Sequence, residues 1–102
     1  MVQNKAFSQS FDLSEQWITI GRDSETCDIT INHPEISARH CKMRTSGSKR
    51  IQVMDIGSRN GVSVDGKRIE CGEVAVFKPH KGDLELASLT CRFSKKERHV
   101  GG

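Results

Sequence analysis

The chain has 102 residues, with 16 Lys and Arg against 13 Asp and Glu, and its formal net charge of +3 is too small for a dedicated nucleic-acid binder. That length holds one domain, burying about 60–70% of the unfolded chain's surface, and excludes a second. Only 34% of residues are apolar, no apolar run nears the ~18–20 residues of a spanning helix, and Met1-Val2-Gln3-Asn4-Lys5 lacks a signal-peptide core, so a soluble, intracellular chain is expected.

Along the chain, β-branched residues alternate with polar ones in short runs, and hardly any segment carries apolar residues at helical spacing over 11 or more positions. The pattern predicts an all-β fold of ten or eleven strands, near residues 2–7, 10–14, 17–21, 27–31, 38–45, 50–56, 62–64, 67–69, 73–77, 83–87 and 89–95. In Cys27-Asp28-Ile29-Thr30-Ile31 the odd positions are apolar and the even ones polar; Leu89, Cys91 and Phe93 alternate with Thr90, Arg92 and Ser94 in the same way. Turn signals separate the runs: Gly21-Arg22-Asp23-Ser24, Asn32-His33-Pro34, Thr45-Ser46-Gly47-Ser48, Asn60-Gly61, Asp65-Gly66, Cys71-Gly72 and Pro79-His80-Lys81-Gly82. Asp65-Gly66, between Val62-Ser63-Val64 and Lys67-Arg68-Ile69, predicts a two-residue hairpin, because both residues tolerate the positive φ of a type I′ turn. Strands this short and this numerous bury their apolar faces as two packed sheets, a β-sandwich. Residues 1–9 read as an N-terminal strand or extension, 10–95 as the domain, and 96–102 as a flexible tail at the boundary of a longer protein.

Cys27, Cys41, Cys71 and Cys91 are spaced by 14, 30 and 20 residues without a C-x-x-C knuckle. The neighbours His40 and Cys41 point to opposite faces of a strand. All four cysteines are therefore expected to be reduced and packed as small hydrophobes, with no metal and no cofactor.

The informative residues lie in turns. Arg22 follows Gly21 at a strand end, Ser37 follows His33-Pro34-Glu35-Ile36, and Asn60 precedes Gly61 after Asp55-Ile56-Gly57-Ser58-Arg59. Taken singly, each is an ordinary turn residue. In this order and spacing, Gly21-Arg22, Ser37-Ala38-Arg39-His40, Asp55 to Gly61 and Val64-Asp65-Gly66 closely resemble the forkhead-associated (FHA) domain, a phosphothreonine-binding β-sandwich. The resemblance covers about residues 10–94.

A phosphothreonine carries about −1.5 to −2 charge and three acceptor oxygens, so its receptor needs guanidinium, hydroxyl and backbone N–H donors on clustered loops. The resemblance implies a phosphopeptide-binding set of Arg22, Ser37, Ala38, Arg39, Arg59 and Asn60, with Arg22 and Ser37 on the phosphate and Asn60 on the ligand's backbone. It also implies that Gly21, His40 and Gly61 support the site, the ring of His40 tying the loops together. Two positions depart from the family: Ala38 stands where Arg or Lys is frequent, and Arg59 where Thr is common. The first loses a phosphate donor, and the second can restore one from the opposite loop. Glu35 and Arg59 flank the surface that reads the third residue after the phosphothreonine in this family, and their opposite charges leave that preference open.

The resemblance further implies a non-catalytic adaptor docking its parent protein onto threonine-phosphorylated partners, downstream of a Ser/Thr kinase and without direct nucleic-acid or membrane binding. Family members often serve nuclear DNA-damage, cell-cycle or kinase-signalling assemblies, so a nuclear location is expected, with the cytoplasm as the alternative. A phosphate-independent FHA scaffold or dimerisation domain is the runner-up, kept open by Ala38. An enzyme built on Ser37, His40 and Asp55 lacks a second glycine-rich loop for an oxyanion hole. Nucleic-acid binding through Lys49-Arg50, Lys67-Arg68 and Lys95-Lys96 lacks aromatics to interleave with the charges, and those pairs read as a solvated surface.

Overall fold

In the computed structural model, the described residues are 13–47, 49–79 and 81–91. They form nine strands: β1 (Ile18–Gly21), β2 (Ile29–Thr30), β3 (Cys41–Thr45), β4 (Ile51–Asp55), β5 (Val62–Val64), β6 (Lys67–Arg68), β7 (Val74–Phe77), β8 (Leu84–Leu86) and β9 (Leu89–Cys91). Two sheets result, a five-stranded one in the order β2-β1-β3-β4-β7 and a four-stranded one in the order β6-β5-β8-β9. Only β1 and β2 pair in parallel; the other strand pairs are antiparallel.

Period-2 patterning decides which residues meet between the sheets. In β4, Ile51, Val53 and Asp55 are buried while Gln52 and Met54 are half-buried. Cys41 and Met43 of β3, Val62 and Val64 of β5, and Leu84 and Leu86 of β8 turn inward in the same way. Each fully buried Val, Leu or Ile among these contributes about 1.5–3 kcal/mol. Ile36 belongs to no strand, yet it is only 1% exposed and joins this core. It anchors the β2–β3 loop directly beside Ser37.

Asp65 (φ 55) and Gly66 (φ 80) adopt the expected left-handed pair, closing β5 on β6 with Val64 opposite Lys67. The expected strand at 2–7 lies outside the described residues. Of the one at 10–14 only residues 13 and 14 are described, and neither is in a strand. The run expected at 38–45 becomes a strand only at Cys41, because residues 38–40 complete the loop over the end of β1.

The cysteines depart from expectation at one position. Cys41 is buried and Cys27 and Cys91 are half-buried, but Cys71 is exposed. Its backbone bridges Asp55 at the start of the Cys71-Gly72 turn, so pairing rather than side-chain burial holds it there. Burial pushes the Cys41 thiol up and raises Cys91 to about 11, with the Glu85 charge adding to the shift at Cys91.

Candidate functional site

Strand register brings the sequence-selected turns to one end of the sandwich. Ile20 of β1 faces Cys41 of β3, which faces Asp55 of β4, so the end of β1, the start of β3 and the end of β4 coincide. In the other sheet the start of β5 meets the end of β8 through Val62 and Leu86. The loops at 22–28, 31–40, 56–61 and 87–88 are therefore neighbours. Arg22, Ala38, Arg39, Arg59 and Asn60 are exposed on them, Ser37 is half-buried, and Gly21, His40 and Gly61 are buried.

Gly21 is required by close approach. A Cβ there would lie 2.2 Å from the Ala38 carbonyl oxygen and 2.9 Å from the Arg39 Cα. The space it leaves lets two main-chain bonds close: the Arg22 N–H donates to the Ser37 carbonyl (2.9 Å) and the Asp23 N–H to the Ala38 carbonyl (3.1 Å). The Cys27 thiol also donates to the Ala38 carbonyl, at 3.1 Å. Arg22 and Ser37, 15 positions apart in the chain, are thereby held together.

His40 is 0% exposed, and both ring nitrogens are occupied. The Ser37 N–H donates to Nδ1 (3.1 Å), so Nδ1 carries no proton; the proton sits on Nε2 and is donated to the Gly61 carbonyl (2.9 Å). One ring in one tautomer thus couples the Ser37 loop to the Asn60 loop. The Gly61 carbonyl also accepts the Ala87 N–H (2.9 Å), which brings in the β8–β9 turn. Gly61 itself has φ 93, a left-handed conformation in which a Cβ is strained.

The Ser37 and Asn60 side chains complete the cross-links. Ser37 Oγ accepts the Arg59 N–H at 2.9 Å, and Asn60 Nδ2 donates to the Glu35 carbonyl at 2.8 Å. With its oxygen accepting from Arg59, the Ser37 hydroxyl keeps its own proton to donate outward. Every residue expected at the site is found on this loop cluster. Arg39 contributes its backbone beside Gly21 and an exposed side chain.

Four contributors stand outside the expected site set, although Asp55 and Ser58 lie within the Asp55 to Gly61 stretch of the family pattern and Glu35 was expected to flank the ligand surface. Asp55, 3% exposed, accepts the Gly57 and Ser58 N–H groups on Oδ1 (2.7 and 2.8 Å) and the Ser58 hydroxyl on Oδ2 (2.7 Å), while Ser58 Oγ accepts the Gly61 N–H (3.1 Å). Burial penalises the Asp55 charge, but the Ser58 hydroxyl and the two N–H groups outweigh it and hold the carboxyl below its ordinary range. An Asp three residues before a Ser at a strand end is a recognisable loop-closing pattern, so Asp55 and Ser58 were legible in principle. The third contributor, Glu35, binds the β8–β9 turn: Glu35 Oε1 accepts the Ser88 N–H (3.2 Å) and hydroxyl (2.5 Å), and the Ser88 hydroxyl lowers the Glu35 pKa. The fourth, Arg68, lies against Gly61, its guanidinium making a long contact of 3.5 Å to the Arg59 carbonyl.

Ser37, His40 and Asp55 do not form a catalytic relay. The ring nitrogens of His40 are committed to backbone groups, and the carboxylate of Asp55 to the turn that follows it. The surface offers instead exposed guanidinium groups, a hydroxyl proton and a fixed amide, a set suited to holding an anion.

The sequence model described as "FHA domain" matches residues 18–81. The chain is 26% identical to a probable serine/threonine-protein kinase, fhkC, of Dictyostelium discoideum; the match takes in 91% of this chain but 18% of that protein. Among solved structures it is similar to the FHA domain of CT664 from Chlamydia trachomatis, with a TM-score of 0.64, 25% identity, and coverage of 79% of this chain and 80% of that one. It also shares its fold with the MEK1 FHA domain, solved in complex with a HOP1 phosphothreonine peptide, with a TM-score of 0.60, 24% identity and coverage of 76% of each chain. A two-sheet β-sandwich whose family signature converges on one loop cluster, the chain belongs to the FHA domain family.

Proposed function

We propose that this domain binds phosphothreonine peptides and acts as a non-catalytic adaptor for a longer parent protein. Ser37 carries the reading: its carbonyl receives the Arg22 N–H, its oxygen receives the Arg59 N–H, and its proton is left to donate where two loops bearing exposed arginines meet. In this reading Arg22, Ser37 and Arg59 hold the phosphate, Asn60 holds the ligand's main chain, and His40, Gly21 and Gly61 keep the loops in place. The peptide complex of the similar MEK1 domain supports it. The partner's phosphate comes from a Ser/Thr kinase acting upstream, and the nuclear setting expected of the family stands as a proposal, checked by imaging the tagged parent protein.

Calorimetry with a phosphothreonine peptide, its phosphoserine counterpart and its unphosphorylated form is the test. Phosphothreonine should bind best, its methyl adding about 0.8 kcal/mol over phosphoserine. Arg22→Ala should remove binding without moving the melting temperature, since an exposed charge-assisted donor is lost and no core volume changes. Binding insensitive to phosphorylation, or unaffected by Arg22→Ala, would favour the phosphate-independent scaffold.

Ala38 leaves the site one cation short, and Arg59 supplies it in this reading. Arg59→Thr should weaken binding by about 1–2 kcal/mol at low salt, and adding Ala38→Arg should restore most of it. Additive effects in this four-protein cycle would make Arg59 a solvated loop residue.

A further inference from the structure

The two sheets end in β2 and β7 on one side of the sandwich and in β6 and β9 on the other. Strands β2 and β6 are blunt edges, two residues each, and β6 is Lys67-Arg68; β9 ends at the limit of the described residues. The β7 edge is different. Val74–Phe77 is four residues long and is the outer strand beside β4. It carries Val74 and Val76, 44% and 50% exposed, the two large hydrophobics that lie open among the described residues. The ends of this strand carry opposite charge. Glu70 and Glu73 stand at its start, where Glu73 Oε1 accepts the Glu70 N–H at 2.9 Å; the neighbouring Arg68 guanidinium is turned to Gly61 and the Arg59 carbonyl. Past its end an open pocket of about 260 Å³ is lined by Arg50, Lys78 and Lys81 together with Val76, and the acid that shares it, Asp65, accepts the Asp83 N–H.

We propose that β7 is a self-association edge, pairing antiparallel with β7 of a second copy of this chain about a two-fold axis. Such a pair lays the acidic start of each strand beside the basic end of the other. This holds in either central register that the two-fold permits, with Ala75 or with Val76 opposite its own counterpart. In both registers Val74 and Val76 of the two copies line one face, on strands about 4.7–4.9 Å apart. A parallel pairing would set Glu beside Glu and Lys beside Lys. The contact uses up both edges, so it closes as a dimer and does not grow into a filament. Val74 lies opposite Met54, near the end of β4 and hence at the loop-cluster end, so the two loop clusters of the dimer face away from each other and each stays open to its own ligand. The inference thus goes beyond the phosphothreonine reading and does not depend on it. Four-residue edges make a contact below the ~1,200–2,000 Å² of a stable complex, so a dissociation constant on the order of 0.1 mM is expected.

Sedimentation equilibrium of the 102-residue chain over about 0.01–1 mM is the test. Wild type should pass from monomer to dimer, and no further, across that range. Val76→Lys puts a charge on an exposed position of the edge and should stay monomeric, with its melting temperature and its peptide titrations unchanged. Glu73→Lys and Lys78→Glu should each self-associate about three- to ten-fold more weakly. An equimolar mixture of those two variants should recover the dimer, because the lysines of one then meet the glutamates of the other, an outcome that local damage to either chain would not produce. A chain that stays monomeric to about 1 mM, as it would if its own terminal residues or another protein's strand covered β7, overturns the inference. So does a dimer indifferent to Val76→Lys, or a mixture no tighter than its parts. A dimer that forms in a chain binding no phosphothreonine peptide leaves this inference standing and removes only the functional reading.

Discussion

The two ends of the sandwich are built by different means. At the end carrying residues 22–28, 31–40, 56–61 and 87–88, loops are joined to one another by side chains: His40 to Ser37 and Gly61, Ser37 to Arg59, Asn60 to Glu35, Glu35 to Ser88. At the opposite end the turns close mostly on themselves, through Ser46 N–H to the Arg50 carbonyl (2.8 Å) and Lys81 and Gly82 N–H to the Lys78 carbonyl (2.9 and 2.7 Å). Among the described residues, Asp65 is the one side chain there that reaches another turn, accepting the Asp83 N–H at 2.9 Å. A surface that must present several donors in fixed relation needs loops locked to each other, whereas a surface that only reverses the chain needs turns that are locally consistent. Substitutions should therefore be costly and coupled at the first end, and cheap and independent at the second.

A matched pair of glycine substitutions should give the largest contrast. Gly21→Ala drives a Cβ into the Ala38 backbone, which cannot move without breaking the Arg22–Ser37 clamp. It should cost about 3 kcal/mol or more. Gly47→Ala at the far end meets nothing within 4 Å and strains only its φ of 80, for a cost of about 1–2 kcal/mol. Urea unfolding of both variants checks this, and similar midpoints would remove the distinction between the ends.

His40→Ala comes next. It leaves the Ser37 N–H without its acceptor and takes one donor from the Gly61 carbonyl, so about 2–3 kcal/mol should be lost. The same change should weaken any ligand binding only secondarily, through loosened loops. A melting temperature unchanged from wild type would mean that the ring is not the link between the two loops.

The two aspartates sharpen the comparison further. Asp55→Asn loses a buried acceptor of the Ser58 hydroxyl and should cost about 1–2 kcal/mol, whereas Asp65→Asn keeps the acceptor for Asp83 and a residue tolerant of positive φ, and should stay within about 0.5 kcal/mol. Because the folded Asp55 carboxyl is held below its unfolded value, its contribution is fully present above the ordinary aspartate range and is lost as pH falls through the lower folded value. Stability measured on acidification should decline more shallowly in Asp55→Asn than in wild type. Parallel acid limbs would place that pH dependence elsewhere.

A small effect, distinct from either end, belongs to the half-buried face. Arg44 stacks over Trp17 at 4.6 Å and bonds Gln52 through Nε at 2.7 Å, away from the loops. Arg44→Met should cost about 0.5–1 kcal/mol, seen as a small fall in melting temperature, and should leave peptide titrations as they were. A change in peptide affinity would link the sheet face to the loop end and blur the separation between them.

How much of this was legible before folding depends on the range over which each feature is encoded. Alternation of buried and exposed positions is a property of neighbouring residues, so the all-β character and the inward faces of β3, β4, β5 and β8 were readable along the chain. The Asp65-Gly66 hairpin was readable for the same reason, since a type I′ turn is chosen by the two residues that form it. Gly21, Arg22, Ser37, His40, Asn60 and Gly61 stood out only as a spaced combination. The exposure of Cys71 and the late start of β3 did not stand out at all, because both follow from what the fold leaves uncovered.

Tertiary structure alone decided what these residues do to each other. Glu35 and Ser88 lie 53 positions apart and His40 and Gly61 lie 21 apart, and nothing local to either member marks its partner. The tautomer of His40 and the proton left free on Ser37 are consequences of which donors and acceptors the neighbouring loop segments present. The sequence by itself determined the strands, the turns and the inventory of polar groups, because those depend on backbone preference and on patterns a few residues long. Which donor meets which acceptor had to await the meeting of two sheets, since a hydrogen bond is decided by distances of a few tenths of an ångström that no spacing in the chain encodes.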